Sequence, residues 1–464
     1  MNFIFSEPNF SQRGKVILSV EVDKKHSFCI SLDYQCFYNT RLQYVSKEIL
    51  DLLVIATAIY AVDRFIPQKL DNATPIIQIV LPLLMKKNHE SFSTKLSDLL
   101  FWLTNFHWEF NFTSSKKIKK ELLLQGNLSF LQEPTTVMLW SGGLDALAAL
   151  YTSFTQKSNQ SFTLVGTGGN SASLKYQKEL FEELPLNLRK NCTFLQIPIN
   201  ILKKPKSLSE NKLTRSRGAV FMLVGSACSL MMNTLELNIC ENGIGAMNLP
   251  YSSSSLSLDN SRSIHPYTLY LVQNFISAHI EKEFKIYNPF LFWTKSKMCE
   301  SLIEDNQLEL IYRSVSCDSP HRKQGGRQCG YCTSCLLRRL SIESCGIKDR
   351  TEYLVKKNKE SIREDIKIPI KAMLAQAFII KKIIDAHDVD ELRWEHLSNN
   401  FYDLQGVLNF LLINSSATKK VLIKNFVNIY GRHSMELIQI SSKSFLEILD
   451  SSEIEQIRLY ALTL

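Results

Sequence analysis

The sequence predicts an α/β protein built around a parallel sheet, with a small α+β domain before it and an α-helical domain after it. Three patterns point to this organisation. Short apolar runs alternate with helical segments from about residue 134, four cysteines cluster within residues 317–335, and apolar residues recur every three or four positions after residue 354. Repeated strand–helix units favour parallel strands with helices on both faces of the sheet.

These patterns divide the 464 residues into three domains, in keeping with the usual size of protein domains. The predicted domains are an N-terminal α+β domain over residues 1–130, an α/β domain over residues 131–353 and a helical domain over residues 354–464. A hydrophobic content of 45% is sufficient to form sizeable apolar cores.

The N-terminal domain contains both alternating and helical patterns. Residues 15–32 alternate between apolar and polar positions with charged residues in the middle, which predicts a β-hairpin. Ser46 is a suitable N-cap for a helix that ends near residue 65. Further strands are expected over residues 76–81 and 108–112, where apolar side chains alternate again.

The α/β domain begins with four strand candidates, most of which are followed by a helical pattern. Its strands are expected at residues 137–140, 162–166, 193–199 and 237–240. Ligands of parallel sheets bind at the carboxyl ends of the strands. We therefore expect the loops after the first, second and fourth strands to form one site.

Residues 141–145, Ser-Gly-Gly-Leu-Asp, follow the first of these strands and precede a helix rich in alanine and leucine. This glycine loop is a favourable anion site, because glycine lets the backbone approach a ligand and free N–H groups of the helix start point at it. Ser141 adds a hydroxyl donor, and Asp145 is suited to holding Mg²⁺ between phosphates. An ordinary turn is the alternative interpretation.

Arginines mark a second candidate for phosphate binding, between the third and fourth strands. Arg215 and Arg217 lie beside Gly218 at the predicted start of a helix. Guanidinium groups in such a position bind phosphate with directed hydrogen bonds. A solvated basic turn is the alternative.

Cys317, Cys329, Cys332 and Cys335 have the spacing C-x11-C-x2-C-x2-C. Four thiolates with this spacing can converge on one ion, and tetrahedral sulfur coordination favours zinc. Protein ligands fill all four positions, so we expect a structural site in which His321 of the same loop is not needed. An iron–sulfur cluster is an alternative.

The tail after residue 354 is predicted to be a helical bundle. Its helices are expected at residues 368–386, 404–413, 418–430 and 445–460, where apolar residues recur at helical spacing.

Composition limits the classes of partner and compartment. A net charge of +9 and a pI of about 8.8 suit an anionic ligand without requiring nucleic acid. The N-terminus lacks the basic segment and the long apolar core of a signal peptide. Residues 52–62 are apolar over about half a membrane span, so we expect a buried helix there. Together with the cysteine usage, this indicates a reducing, cytoplasmic compartment.

The glycine loop and the cysteines together resemble motifs of the PP-loop ATP pyrophosphatases, in particular the 7-cyano-7-deazaguanine synthase family, QueC. The family loop reads SGGxDS and this chain reads SGGLDA, so Ala146 stands where the family has a hydroxyl residue. The family cysteines read CxxCxxCxxR, which Arg338 completes here. The resemblance covers residues 134–353 and implies a HUP, or Rossmann-like, fold.

The resemblance implies ATP-dependent activation of 7-carboxy-7-deazaguanine, with Mg²⁺ at the phosphates and Zn²⁺ in the cysteine cluster. The carboxylate attacks the α-phosphorus, and an amine then displaces AMP from the acyl-adenylate. Ser141, Asp145, Arg215 and Arg217 are expected to act on the phosphates. The residues expected to bind ATP are Trp140, Ser141, Gly142, Gly143, Leu144, Asp145 and Gly166.

Substrate contacts are expected from the loop after the fourth strand and from a segment further along the chain. Glu241 and Asn242 suit the donor edge of a guanine-like ring, and Arg262 and His265 are candidates for binding substrate or phosphate. In this region the chain departs from the GxNxxDxxGYPDC-like segment of the family.

The chain is longer than the biosynthetic enzymes, and in this respect it resembles the QueC-like proteins of bacterial antiphage systems, in particular the Qat system, with type IV CBASS proteins close behind. This implies partner proteins from a defence operon and ammonia or a protein amine as the acceptor, without a membrane or nucleic acid. Two alternatives stay open, a nucleotide sensor without catalysis and a PP-loop tRNA-modifying enzyme. The second needs a reactive cysteine, and none lies within residues 141–151.

Overall fold

The structure is a computed structural model. It describes residues 1–11, 14–39, 45–66, 76–85, 90–115, 135–157, 160–204, 208, 210–211, 214–251, 262–318, 328–354, 364–441 and 448–463. The strands are β1 (Asn2–Phe5), β2 (Asn9–Ser11), β3 (Lys15–Val22), β4 (His26–Asp33), β5 (Ile76–Leu83), β6 (His107–Ser114), β7 (Thr135–Leu139), β8 (Ser161–Gly168), β9 (Cys192–Lys203), β10 (Glu236–Asn238) and β11 (Lys285–Tyr287). The helices are α1 (Cys36–Asn39), α2 (Lys47–Phe65), α3 (Glu90–Thr104), α4 (Leu144–Gln156), α5 (Ser171–Glu182), α6 (Leu186–Lys190), α7 (Arg217–Met231), α8 (Gly243–Met247), α9 (Pro266–Ile280), α10 (Lys295–Glu304), α11 (Leu308–Arg313), α12 (Thr333–Ser344), α13 (Glu364–Ala386), α14 (Asp390–Asn400), α15 (Tyr402–Asn414), α16 (Lys419–Ser441) and α17 (Ser451–Thr463).

Within the described residues the strands form one sheet, in the order β11-β10-β7-β8-β9-β4-β3-β1-β5-β6, with β2 beside β3. The strands from β11 to β9 are parallel, which confirms the predicted parallel sheet. Strand β4 joins β9 in antiparallel orientation, with Ile30 opposite Ile201. The antiparallel strands β3 and β1 follow, and then the parallel strands β5 and β6.

The N-terminal strands therefore extend the same sheet, and the predicted boundary at residue 130 does not separate two sheets. The apolar core is also shared, because α2 packs against α7 and both Leu53 and Val224 are buried in it. Helix α2 is buried on nearly all sides, which confirms the buried helix expected over residues 52–62. The division into domains stays a prediction.

Local signals in the N-terminal half predicted most of its elements. Strands β3 and β4 form the expected hairpin, with Val22 opposite His26 at its end. Helix α2 begins after Ser46, whose hydroxyl accepts a hydrogen bond from the backbone N–H of Ile49 at 3.4 Å. No helix in the described part of the chain is both long and apolar enough to cross a membrane.

The tail forms a second apolar core, in which Leu374 and Phe426 are buried. Helices α13, α15, α16 and α17 confirm the four predicted segments, and the first residues of the last predicted segment lie outside the described ranges. Among the longer helices, sequence reasoning missed α3, α9, α10, α12 and α14. Helix α16 packs against α13, α14 and α15, and it also reaches α12 and α8 of the α/β part. The tail is therefore in contact with the carboxyl edge of the sheet.

Candidate active site

The glycine loop follows β7 and turns directly into α4. Gly142 has a φ of +75°, and a Cβ at this position would lie 3.1 Å from the backbone nitrogen of Gln177. Its carbonyl accepts a hydrogen bond from the backbone N–H of Val315 at 3.0 Å, and the N–H of Gly143 donates to the Ser141 hydroxyl at 3.2 Å. Gly143 is the N-cap of α4 and has no side chain to cap the helix. The helix start can therefore accept an anion.

Asp145, at the start of α4, contacts residues from two other loops. Its Oδ2 lies 2.5 Å from the Nζ of Lys295, and these two side chains are only 12% and 7% exposed. Its Oδ1 accepts a hydrogen bond from the Nδ2 of Asn242 at 2.9 Å. The same Nδ2 lies 2.7 Å from the Oε1 of Glu241. We call Asp145, Glu241, Asn242 and Lys295 the charged group.

Asn242 also connects the charged group to the backbone. Its Oδ1 accepts a hydrogen bond from the N–H of Gly245 at 2.9 Å and so caps α8. The Nδ2 of Asn288 donates to the carbonyl of Glu241 at 2.7 Å, which holds this loop to the segment after β11. The charged group is therefore built from the ends of three parallel strands, as expected for the site of such a sheet.

Burial determines how the charged group titrates. Burial raises the pKa of Glu241 well above its usual value, and Asp145 adds to this while Lys295 opposes it. For Lys295, burial works to lower the pKa, but the carboxyl groups of Asp145 and Glu241 outweigh it and raise the pKa. Lys295 therefore keeps its proton at neutral pH. Its ammonium group pairs with Asp145, and the Asn242 amide contacts the carboxyl groups of both Asp145 and Glu241.

Arg215 and Arg217 lie at the start of α7 on a turn that the N-terminal region holds. Asp63 of α2 is buried and accepts hydrogen bonds from the backbone N–H of Ser216 at 2.8 Å and from its hydroxyl at 2.6 Å. The guanidinium group of Arg217 lies 5.0 Å from the ring centroid of Phe221. Their action on phosphates stays a prediction.

Arg262 and His265 lie beside the same turn. The Arg262 guanidinium lies 4.1 Å from the ring centroid of Trp102 and donates to its carbonyl at 3.0 Å. The Nδ1 of His265 accepts a hydrogen bond from the N–H of Tyr267 at 3.2 Å and so caps α9. Burial lowers the pKa of Arg262, and the charge of Arg215 acts in the same direction. The contacts described for Arg262 and His265 do not include the charged group, and their role in binding substrate stays a prediction.

Trp140 and Gly166 support the glycine loop through Gln177 of α5. The indole Nε1 of Trp140 donates to the carbonyl of Gln177 at 2.8 Å, and Trp140 is buried. A Cβ at Gly166 would lie 2.5 Å from the Oε1 of Gln177, so a larger residue would require this buried side chain to shift. Trp140, Gly166 and the buried Leu144 are thus near the expected nucleotide site, and their contact with ATP stays a prediction.

The four cysteines converge as their spacing predicts. Their sulfur atoms all lie within 4.8 Å of one another, and the sulfurs of Cys329 and Cys335 are 3.8 Å apart. A tetrahedral zinc with Zn–S bonds of about 2.3 Å requires sulfurs about 3.8 Å apart, so the cluster fits this ion. The backbone N–H groups of Cys332 and Cys329 lie 3.3 and 3.5 Å from the sulfurs of Cys329 and Cys317, respectively. His321 lies outside the described residues.

A short segment connects the cysteine cluster to the glycine loop. Arg338 is fully buried and its guanidinium donates to the hydroxyl of Ser314 at 2.7 Å. The next residue, Val315, donates its N–H to the carbonyl of Gly142, and Cys317 follows two positions later. A structural metal in the cluster would therefore also order one wall of the glycine loop.

Sequence reasoning missed Lys295 and Asp63. A single lysine or aspartate is usually exposed, and neither residue belongs to a motif that we considered. Thr294 before Lys295 gives a weak signal, because it is a suitable N-cap for a helix, and its hydroxyl accepts from the N–H of Lys297 at 3.3 Å. The burial of both charges depends on contacts between distant segments.

Comparisons with known proteins place part of the chain near one family. The family model described as "Queuosine biosynthesis protein QueC" matches residues 265–346. A 7-cyano-7-deazaguanine synthase from Campylobacter jejuni is 33% identical over 84 residues, which are 18% of this chain and 34% of the relative. The chain thus matches about a third of that relative's length. The matched segment contains Lys295 and the cysteine cluster, and this part of the chain is QueC-like.

Proposed function

We propose that this protein is a QueC-like ligase that uses ATP to adenylate the carboxylate of a 7-deazaguanine and transfers the acyl group to an amine. One observation carries the proposal: the glycine loop, with its free helix start, meets Lys295 of the QueC-like segment through the Asp145 ion pair. The phosphates of a nucleoside triphosphate require such an anion site with a buried cation beside it.

The reaction has two steps. A carboxylate oxygen of the substrate attacks the α-phosphorus of ATP, the bond from the α-phosphorus to the bridging oxygen breaks, and pyrophosphate leaves. The amine nitrogen then attacks the acyl carbon of the adenylate, AMP leaves with the former carboxylate oxygen, and the amine loses a proton as the amide forms. With ammonia as the amine, the amide oxygen would attack the α-phosphorus of a second ATP and release pyrophosphate. AMP would then leave with that oxygen, and the nitrogen would lose its two protons as the nitrile forms.

The proposed roles in the first step are positioning and charge neutralisation. The N–H groups of the glycine loop and the Ser141 hydroxyl would bind the pyrophosphate portion of ATP. Lys295 would neutralise negative charge on the phosphates. Asp145 would hold Mg²⁺, because this ion prefers oxygen ligands. Arg215 and Arg217 would act on the phosphates from the start of α7.

Recognition of the deazaguanine is proposed for the loop after β10. The carboxyl group of Glu241 and the side chain of Asn242 would accept and donate hydrogen bonds at the edge of the base. Arg262 and His265 would contribute to the substrate or to its phosphate-bearing intermediate. The chemistry of all four groups supports this assignment, and Glu241 and Asn242 also follow β10 at the carboxyl edge of the sheet.

We further propose an antiphage setting of the Qat type, with partner proteins from the same operon and a protein amine in place of ammonia. The extra N-terminal strands and the helical tail support a protein acceptor, because they give the chain surfaces that a small-molecule enzyme does not need. If partner proteins from the same locus never gain the mass of the deazaguanine acyl group, the proposal of a protein acceptor is wrong.

The decisive experiment measures AMP and pyrophosphate released from ATP and Mg²⁺ by the purified protein, with and without 7-carboxy-7-deazaguanine. We expect release that depends on the acid and that falls by about 10²-fold or more in Asp145→Ala. Release without the acid in both proteins would indicate a contaminant. No release with any amine, despite ATP binding, would favour the nucleotide sensor, a candidate that the missing hydroxyl at Ala146 supports.

A sulfur-transferring PP-loop RNA modifier is the remaining candidate, and one observation bears on it. Cys240 is far from the glycine loop in sequence but lies two residues after the end of β10, next to Glu241, where the Asp145 charge reaches it. Burial raises the pKa of its thiol, and Asp145 adds to the shift. A reactive cysteine needs a thiolate, so this environment argues against that chemistry.

A further inference from the structure

Helix α16 of the tail places a carboxylate beside Lys295. The Oε1 of Glu436 accepts hydrogen bonds from the hydroxyl of Ser296 at 2.5 Å and from that of Thr294 at 3.2 Å. These two residues flank Lys295, which is the first residue of α10. The Glu436 side chain is only 12% exposed, so water competes little for these bonds.

Arg432, one helical turn before Glu436, strengthens this connection. Its Nε donates to the Oε1 of Glu436 at 2.7 Å, and its NH2 lies 3.0 Å from the Oε1 of Glu300 in α10. The tail thus holds α10 at its start through Glu436 and further along through Glu300. A carboxylate at the start of α10 is also favoured by the helix dipole.

The space around Lys295 explains why such a connection matters. A small cavity borders Lys295 and is also lined by Asn242, Ser296, His433 and Glu436. A lysine side chain has many rotamers, and adjacent open space gives its amine positions away from Asp145. Hydrogen bonds between Glu436 and the side chains on both sides of Lys295 hold the start of α10 and restrict those alternatives.

We propose that Glu436 is a positioning residue that holds Lys295 against Asp145, so that the helical tail completes the nucleotide site. The expected effect on ATP binding rests on the proposed function, whereas the expected effect on the position of the Lys295 amine does not. Glu436 acts on Lys295 through the hydroxyl groups of Ser296 and Thr294.

The first test measures Lys295 directly, in the full-length protein without nucleotide. Each variant is treated briefly with acetic anhydride at pH 8, and mass spectrometry compares acetylation of Lys295 with that of Lys178, which is 63% exposed on α5. We expect Glu436→Ala to raise the relative acetylation rate of Lys295 by about fivefold or more, because the amine leaves its pairing with Asp145 more often. Glu436→Gln keeps an oxygen acceptor and should stay within about twofold of the wild type.

The matched control is Glu453→Ala in α17. Glu453 is also a shielded tail carboxylate, 16% exposed, and lies 3.0 Å from each of the amines of Lys367 and Lys371. The Glu453→Ala substitution should leave the acetylation of Lys295 unchanged even if it lowers the melting temperature of the protein. Wild-type acetylation of Lys295 in Glu436→Ala, or an equal rise in Glu453→Ala, would overturn the proposal.

The second test measures the affinity for ATP and Mg²⁺ by calorimetry, in the wild type and in Lys295→Met. Glu436→Ala should weaken binding about tenfold in the wild type and less than about twofold where Lys295 is already replaced. A loss of general structure would instead weaken binding in both backgrounds, which would contradict a positioning role. A wild type that binds no ATP would refute the proposed function, and the acetylation result would still decide the position of Lys295.

Discussion

The cysteine cluster and the charged group are built in opposite ways. All four cysteines come from residues 317–335, and their spacing alone brings the sulfurs together. The charged group takes its members from positions 145, 241–242 and 295, which only the folded sheet brings together. The cluster is a local site that a short motif specifies, and the charged group is a tertiary site that the topology specifies.

The two sites also balance charge differently. The cysteine cluster holds four potential thiolates and needs a cation to offset them. The charged group contains its own cation, Lys295, which pairs with Asp145. Removing one ligand from the cluster should therefore release an ion, whereas removing Lys295 from the charged group should leave the buried charge of Asp145 unpaired.

The largest effect should follow from breaking the local site. Cys335→Ser should abolish stoichiometric zinc and lower the free energy of unfolding by more than about 4 kcal/mol, because structural zinc contributes about 10–16 kcal/mol in zinc-finger peptides. Metal analysis and urea unfolding measure the two quantities. Cys192→Ser is the control, because this half-buried thiol lies outside the cluster. Full zinc content in Cys335→Ser would show that the four sulfurs are not the ligands.

Breaking the tertiary site should have the second largest effect. Lys295→Met should lower the free energy of unfolding by about 3 kcal/mol, because it leaves Asp145 buried without its cation. Adding Asp145→Asn should restore much of this stability while AMP release stays absent, since the charge itself is then removed. Urea unfolding at pH 7 compares the single and double variants. A double variant as unstable as Lys295→Met would mean that the unpaired charge of Asp145 is not the cause of the instability.

What the sequence could predict follows the same division. The cysteine cluster, the glycine loop and the strands before and after it are local patterns, and all of them lie where the sequence placed them. Lys295 could not be recognised, because a lysine at a helix start is usually exposed and only β-strand order brings it to Asp145. The pairing of β4 with β9 was missed for the same reason, since strand partners distant in sequence leave no local pattern.

The third effect concerns pH and separates the charged group from the cluster. The pKa of Glu241 is raised by burial, so the folded protein holds this proton more tightly than the unfolded chain. The stability that this proton contributes is fully present below pH 4.5, the ordinary pKa of a glutamate. It is lost as the pH rises through the pKa of Glu241 in the folded protein. Glu241→Gln keeps the acceptor for Asn242 and should be more stable than the wild type at pH 8, with little difference at pH 4. Urea unfolding at both pH values measures this, and equal stability at pH 8 would contradict the burial of a charge.

The smallest effects should come from one glycine in each site, Gly142 in the glycine loop and Gly330 in the cysteine cluster. Their φ angles are +75° and +84°, and a Cβ at Gly330 would lie 2.8 Å from the Cβ of Tyr353. Alanine at either position should cost about 1–2 kcal/mol, because L-residues disfavour this conformation. Gly406→Ala is the opposite control, since Gly406 lies in α15 with open space around it and alanine should stabilise that helix by up to about 1 kcal/mol. If the sites are independent, Gly142→Ala weakens ATP binding without loss of zinc. Loss of zinc in Gly142→Ala would instead mean that the bond between Val315 and Gly142 couples the local site to the tertiary one.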